Sequence, residues 1–312
     1  MQPGAGGGML GRWQLYFRET VKPAGSIAAV SLTVVGILCM FQALLGRGDL
    51  VLTGRIVPTV AIYFFLLLYW RGIDEFKDRD VDRRFFPERP VPSGRVRLKD
   101  LKVLLWTSST LMFVVCILSG LPLVPLFFIF LYEVLQGRWF FLERRIANNR
   151  LLAFATHAPS AFLFNGYVIA VTCRHSGIAL FRWETLFVAA WFSLPFFAHE
   201  FARKTRAPSE EREGYQTYSA MIGFRGSAAL CAALVLLHEM MLLAASGSLR
   251  LSTPWLSLTG LLALAYAAVF AAFAASPEGR SRFLRPATEL YLLLVFLGTT
   301  ADLALSHGVR WG

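Results

Sequence analysis

Five carboxylates crowd into RGIDEFKDRDVDRRFFPERPVPSGRV, residues 71–96: Asp74, Glu75, Asp78, Asp80 and Asp82. Asp74, Asp78 and Asp82 recur every four residues, and Glu75 precedes Asp78 and Asp82 by three and seven, so four of the five share one face of a helix. Like charges stacked in this way repel unless a cation lies against them. Oxygen donors without His or Cys suit Mg²⁺, which keeps several waters and bridges to a phosphate rather than filling a protein cage. The spacing predicts a helix that continues through Asp82 and ends before Pro87. Arg71, Lys77, Arg79, Arg83 and Arg84 alternate with the acids, so a solvated, self-paired loop is the other reading of the same residues.

What positions these acids is a membrane. The chain has 312 residues, of which 56% are hydrophobic and 16% charged, and its mean hydropathy is +0.54. That is more apolar than a soluble domain of this size requires. Apolar stretches of roughly spanning length recur about nine times, near 26–46, 50–71, 101–120, 122–137, 151–172, 179–201, 219–246, 254–275 and 288–306. The expected architecture is therefore all-α, a polytopic bundle of about nine transmembrane helices. Residues 1–25 lack the apolar core of a cleaved signal peptide, and Trp13, Tyr16 and Phe17 between Arg12 and Arg18 predict an interfacial segment ahead of one transmembrane domain over 26–312. Cys39, Cys116, Cys173 and Cys231 have no paired spacing and read as small core residues.

With the amino terminus cytoplasmic, all but six of the 31 Lys and Arg residues fall on the cytoplasmic side. The exceptions are Arg47, Arg55, Arg174, Arg182, Arg250 and Arg310. The net charge of +11 is thus mostly a topology signal, and no soluble segment interleaves basic residues with stacking aromatics as nucleic-acid binding would require. Two cytoplasmic loops, 71–100 and 199–225, carry more chemistry than orientation needs, and they serve as the expected caps of the bundle. Arg outnumbers Lys 26 to 5, consistent with a GC-rich genome, and a bacterial inner membrane is the simplest home.

DEFKDRDVD followed by RPVPSGRV resembles the signature of the UbiA superfamily of intramembrane prenyltransferases, an NDxxDxxxD motif followed by RPxPSG. Asp74 stands where the family has Asn and Glu75 where it has Asp. The resemblance implies nine helices around a central cavity that opens laterally to lipid, with Mg²⁺ held by Asp74, Glu75, Asp78 and Asp82. The second aspartate-rich motif of the family, DxxxD, should follow the sixth span. HEFARKTRAPSEEREGYQTYSAMIG, residues 199–223, stands there instead. Its end, Gly214 to Gly223 with Thr217, resembles the family's GxxT segment, but its acidic part reads Glu200 followed by Arg203 and Lys204, with Glu210 and Glu211 later. Glu200 is a candidate metal ligand, and Arg203, Lys204 and Arg206 are candidate clamps on diphosphate oxygens. The fourth span offers Tyr132 and then Gln136 where the family often has Tyr and Lys; Arg138, two residues on, is the candidate replacement. Arg89 joins the diphosphate set, and Asn148 and Asn149, at the polar start of the fifth span, are pocket candidates with Tyr132.

The implied activity is Mg²⁺-dependent ionisation of an isoprenyl diphosphate, with Asp78, Asp74 and Glu200 as catalytic candidates, followed by transfer to a small hydrophobic aromatic or quinone-precursor acceptor. A terpene cyclase of the same superfamily is the alternative within the fold. A transporter or scaffold is the alternative outside it, although broken helices with charges at mid-membrane, the mark of many transporters, are not the pattern of these acids. Aromatic residues make up 14% of the chain and permit dry walls around an allylic cation without identifying them. Within the spans, His157, Asn165, His199, His238, Glu239 and Asp302 are further polar residues, most economically read as interhelical hydrogen-bonding groups, with a base beside Glu200 as the other reading of His199.

Overall fold

Lipid offers the backbone no hydrogen bonds, so an apolar chain of this composition closes its own as helices. The computed structural model describes residues 8–312, and it is helical almost throughout. Two compact units divide the chain, Met1–Ser31 with Arg55–Glu143 and Leu32–Gly54 with Arg144–Gly312.

The first unit begins with α1 (Met9–Tyr16) and the start of α2 (Pro23–Leu44), and continues through α3 (Ile56–Lys77), α4 (Arg79–Phe85), α5 (Leu98–Leu118) and α6 (Leu123–Gly137). The amino-terminal aromatics do form a helix, and it is docked on protein. Tyr16 is fully buried against Leu68, Val96, Leu101 and Leu104, while Arg12 donates to both carboxylate oxygens of Asp100, at 2.6 and 2.9 Å, and Trp13 donates to the Asp100 carbonyl. Helices α3 and α5 approach closely at Gly72, where a Cβ would stand 2.5 Å from Leu105. After α6, Trp139, Phe140 and Phe141 lie in succession at positive φ, between 50 and 60°. L-residues pay about 1–2 kcal/mol each for that conformation. The Trp139 ring there receives the Lys77 ammonium at 4.4 Å.

The second unit takes the rest of α2, the strand β1 (Leu50–Leu52), α7 (Glu143–Ile146), α8 (Arg150–His157), α9 (Pro159–Ser176), α10 (Trp183–Arg203), α11 (Tyr218–Ile222), α12 (Phe224–Leu249), α13 (Thr253–Ala275), α14 (Ser281–His307) and β2 (Val309–Trp311). β1 and β2 pair in parallel, Leu50 opposite Val309. Helix α10 packs against α9, α12 and α14, and α13 against α12 and α14. The four cysteines are all buried and reduced.

Seven helices among the described residues are long and apolar enough to cross a bilayer: α2, α3, α5, α10, α12, α13 and α14. The protein is an integral membrane protein. Two of the nine expected spans have another form. The stretch at 122–137 is the 15-residue α6, and the one at 151–172 is divided into α8 and α9 where Pro159 withdraws its N–H and opens the helix. The second helix also starts later than its apolar run, because residues 50–52 leave it to form β1.

Candidate active site

The acidic motif lies in the first unit, at the junction of α3 and α4. Its hydrogen bonding keeps helical register: the Asp78 N–H donates to the Asp74 carbonyl at 2.8 Å, and the Asp82 N–H to the Asp78 carbonyl at 2.7 Å. Asp78 itself leaves helical geometry, with φ −92° and ψ 10°, so the uninterrupted helix expected through Asp82 is corrected to two helices bent at its central aspartate. Glu75 and Asp82 are buried, and Asp74 and Asp78 half-buried. Each buried acid has a cation: Arg71 lies 3.4 Å from Glu75, and Arg89 donates at 3.0 Å to both Asp82 oxygens while its guanidinium stacks 4.0 Å from the Phe86 ring. Lys77, with 3% of its side chain exposed, stands 3.5 Å from Asp74.

The RPVPSG segment is a succession of turns that holds Arg89 in place. Ser93 N–H donates to the Arg89 carbonyl, Gly94 N–H to Val91 and Val96 N–H to Pro90. Gly94 sits at φ +78°, where a Cβ would be strained, so a glycine suits the end of the motif. Arg95 then anchors the loop, donating to the Glu88 carbonyl and to Glu19 at 2.9 Å. That guanidinium holds the Glu19 carboxyl below the usual carboxylate range. A cavity of about 250 Å³ opens between the loop and the acids, lined by Glu75, Arg79, Asp82, Arg83 and Arg97.

Among the described residues no three His, Cys, Asp or Glu side chains converge on a point that would hold a metal. The donor set nevertheless fits Mg²⁺. It is oxygen only, and one or two carboxylates suffice for an ion whose remaining positions go to water and phosphate. Asp74 and Asp78 are half-buried, whereas Glu75 and Asp82 line the cavity.

The second motif lies in the second unit, at the end of α10. Glu200 accepts from Arg203 at one oxygen; the other is 2.7 Å from Lys204 Nζ and accepts from Tyr218 Oη at 3.4 Å. Lys204 is almost enclosed, and burial together with neighbouring Arg203 pulls its pKa down to about 8, with Glu200 opposing the shift. Tyr218 is pushed upward, by burial first and then by the Glu200 charge. Its ring packs 4.3 Å from Phe201 and 6.4 Å from Phe154, an apolar cluster directly beside the charges.

One carboxylate gathers the second half of the 204–223 segment. Glu211 accepts from Thr217 Oγ1 at 2.7 and 2.8 Å and from Ser219 Oγ at 2.6 Å, Ser219 accepts in turn from the Arg206 N–H, and Thr217 caps α11. Glu210 accepts from the Ala207 N–H. The two acids that sequence offers as late parts of the motif thus organise the loop. Replacing Glu211 with Gln should raise amide hydrogen exchange across 211–222 and weaken diphosphate binding about tenfold, the size of one lost charge-assisted hydrogen bond, while the melting temperature moves little. Exchange unchanged across that segment would remove Glu211 from this role.

The other expected residues have more local duties. Asn149 caps α8 through Leu152 N–H, and Asn148 donates to the Arg144 carbonyl; both are exposed. Tyr132 meets Phe140 edge to face at 5.3 Å, and Arg138 is exposed at the end of α6. Asn165 donates to Ser193 on α10, His199 lies 3.3 Å from Glu289, and Asp302 accepts from Ser252 at the start of α13. Sequence reasoning passed over Arg150, Tyr218 and Glu133; Glu133 is wholly buried on α6 beside Gln136, the residue that stands where the family often has Lys. Single polar residues in a helix apolar on every side have no pattern to orient them. Arg150 did stand beside the asparagines that drew attention.

Comparison with known proteins bears on both motifs. The UbiA prenyltransferase family matches the chain over residues 28–296. A digeranylgeranylglyceryl phosphate synthase from Methanothrix thermoacetophila is 26% identical over 236 residues, covering 72% of this chain and 77% of the relative. The fold is similar to that of a solved digeranylgeranylglyceryl phosphate synthase, with a TM-score of 0.63 at 15% identity over 94% of this chain and 98% of that one. It is also similar to an apo UbiA homologue from Aeropyrum pernix K1, with a TM-score of 0.59 at 17% identity over 90% and 98%. Family match and curated relative together make intramembrane prenyl transfer the general chemistry of the chain, which belongs to the UbiA prenyltransferase family.

Proposed function

We propose that the protein ionises an isoprenyl diphosphate in a Mg²⁺-dependent reaction and transfers the prenyl group to a small hydrophobic acceptor of the aromatic or quinone-precursor class. The observation that carries this reading is the placing of Asp74, Glu75, Asp78 and Asp82 around the α3–α4 bend beside a loop-fixed Arg89. Asp74, Glu75, Asp78 and Asp82 would hold the metal. When bound, Mg²⁺ neutralises charge on the departing pyrophosphate.

The remaining work belongs to side chains. Arg89 is oriented by Asp82 and Phe86, so its outward N–H groups are ready for phosphate oxygens without a large entropy cost. Arg203 and Lys204 supply positive charge where anionic oxygens would otherwise be poorly stabilised by an apolar surrounding. The Phe154, Phe201 and Tyr218 rings pack together into an apolar wall beside these charges, which would keep water from the diphosphate end. The charge distribution supports an orientation with the amino terminus and loops 71–100 and 199–225 in the cytoplasm, and the excess of Arg over Lys is what favours a bacterial inner membrane.

The test is pyrophosphate release by purified protein in detergent, with Mg²⁺ and geranyl, farnesyl or geranylgeranyl diphosphate, while organic extracts are analysed for product. Release that depends on an aromatic acceptor, with a prenylated product, is expected. Release without any acceptor, accompanied by a cyclic hydrocarbon or alcohol, would replace the transferase with a cyclase. No release with any substrate or metal would return the scaffold reading.

A further inference from the structure

We propose that the end of α10 is a metal-free diphosphate subsite, in which Lys204, Arg203 and Arg150 bind the anion directly and Glu200 positions two of these cations. The inference rests on the diphosphate reading above, and deepens it by separating the chemistry of the two motifs.

Both Glu200 oxygens are already engaged by cations. One oxygen meets Arg203, and the other meets Lys204 at 2.7 Å and the Tyr218 hydroxyl. Among the described residues no group of three acids, His or Cys converges there, and the neighbouring acids are engaged elsewhere. Glu211 is committed to Thr217 and Ser219, Glu210 to the Ala207 N–H, and Glu289 to Arg285 at 2.7 Å and to His199. The residue one helical turn after Glu200, where the related motif has its second carboxylate, is Lys204. A divalent cation approaching this point meets an ammonium and a guanidinium already seated on the Glu200 carboxylate.

The same arrangement suits an anion. Arg203 and Lys204 sit on the Glu200 carboxylate, and Arg150 on α8 adds a third positive charge within electrostatic reach of Lys204 and Tyr218. Arg150 is only lightly committed: one terminal nitrogen makes a long 3.4 Å bond to the Gln216 carbonyl, and its buried Nε has no partner. Lys204 spends one donor on Glu200 and exposes 11% of its side chain, so much of its hydration has already been given up before a ligand arrives. Arginine forks and an ammonium together match the several oxygens of a diphosphate. The Glu200 bonds keep Arg203 and Lys204 from spreading apart by mutual repulsion, so the carboxylate serves as a positioning group.

Inorganic pyrophosphate titrated calorimetrically into the full-length protein in detergent, with EDTA and no divalent metal, reads this out without turnover. Saturable binding is expected for the wild type and for Lys204→Arg, and Arg150→Gln should weaken it about tenfold. Lys204→Asp rebuilds a pair of carboxylates one turn apart, and should lose metal-free binding and regain affinity on addition of Mg²⁺. Thermal unfolding of each variant verifies that it is folded. Wild-type binding that appears only with Mg²⁺, or metal-free binding that Lys204→Asp and Arg150→Gln leave unchanged, would overturn the subsite while leaving the prenyl diphosphate reading intact. Folded wild type that binds no pyrophosphate with or without Mg²⁺ would overturn both.

Discussion

Asp78→Asn is expected to lower pyrophosphate release by about 10²–10³-fold, the usual scale for removing one preorganised electrostatic element from a site. Asp78 sits at the bend between α3 and α4, midway in the Asp74, Asp78, Asp82 series, and its backbone bonds to Asp74 and Asp82 do not depend on its side-chain charge. Asparagine preserves shape and an oxygen and removes the negative charge. The fold should therefore persist, with stability changed by about 1 kcal/mol. The loss should be accompanied by a higher Mg²⁺ requirement, and excess metal should recover part of the rate. Asp80→Asn supplies the comparison within the same segment: Asp80 is exposed and off the shared face, so its replacement should leave the rate within about twofold. Equal effects at both positions would mean that bulk negative charge, not the Asp78 face, carries the activity.

Much of this arrangement is written in local sequence. The long apolar runs yield the seven spanning helices because, in lipid, an apolar run has few alternatives to helix. The acids and the RPVPSG turns are legible because their spacing and turn residues act over a few positions. What escaped depends on distant contacts or on a single backbone angle. Hydrogen bonds at four-residue spacing survive the bend at Asp78, so periodicity does not report it. The parallel pairing of Leu50–Leu52 with Val309–Trp311 joins strands more than 250 positions apart, beyond any local signal. Tyr16 reads as an interfacial aromatic until Leu68 and Leu101 are seen to enclose it. Tyr218 and Arg150 are ordinary residues in sequence, and become candidates only when folding sets them beside Glu200 and Lys204. Glu210 and Glu211 show the converse: an acidic pair that resembles part of a metal motif is occupied in holding its own loop.

The largest expected effect on stability lies where α10 crosses the second unit. Trp191 is completely buried, stacked on His238 of α12 at 4.2 Å and packed against Phe296 of α14 at 5.5 Å, while His238 is hydrogen-bonded to Tyr291 on α14 at 2.9 Å. In a bilayer the interior of a bundle gains little from leaving the lipid, so this junction is held by close packing, and packing is what a truncation removes. Trp191→Ala should cost about 3–5 kcal/mol, because the dispersion attraction of the indole disappears and a cavity opens between three helices. The indole nitrogen has no hydrogen-bond partner, so Trp191→Phe preserves most of the ring stacking and should cost only about 1.5 kcal/mol or less. Glu200 lies nine residues further along the same helix, roughly 13–14 Å at helical rise. Loosening at Trp191 should therefore also weaken metal-free pyrophosphate binding, whereas Trp191→Phe should leave it intact. Thermal unfolding of the two variants in detergent checks the ranking; equal melting temperatures for alanine and phenylalanine would show that the indole stack does not hold α10 in place.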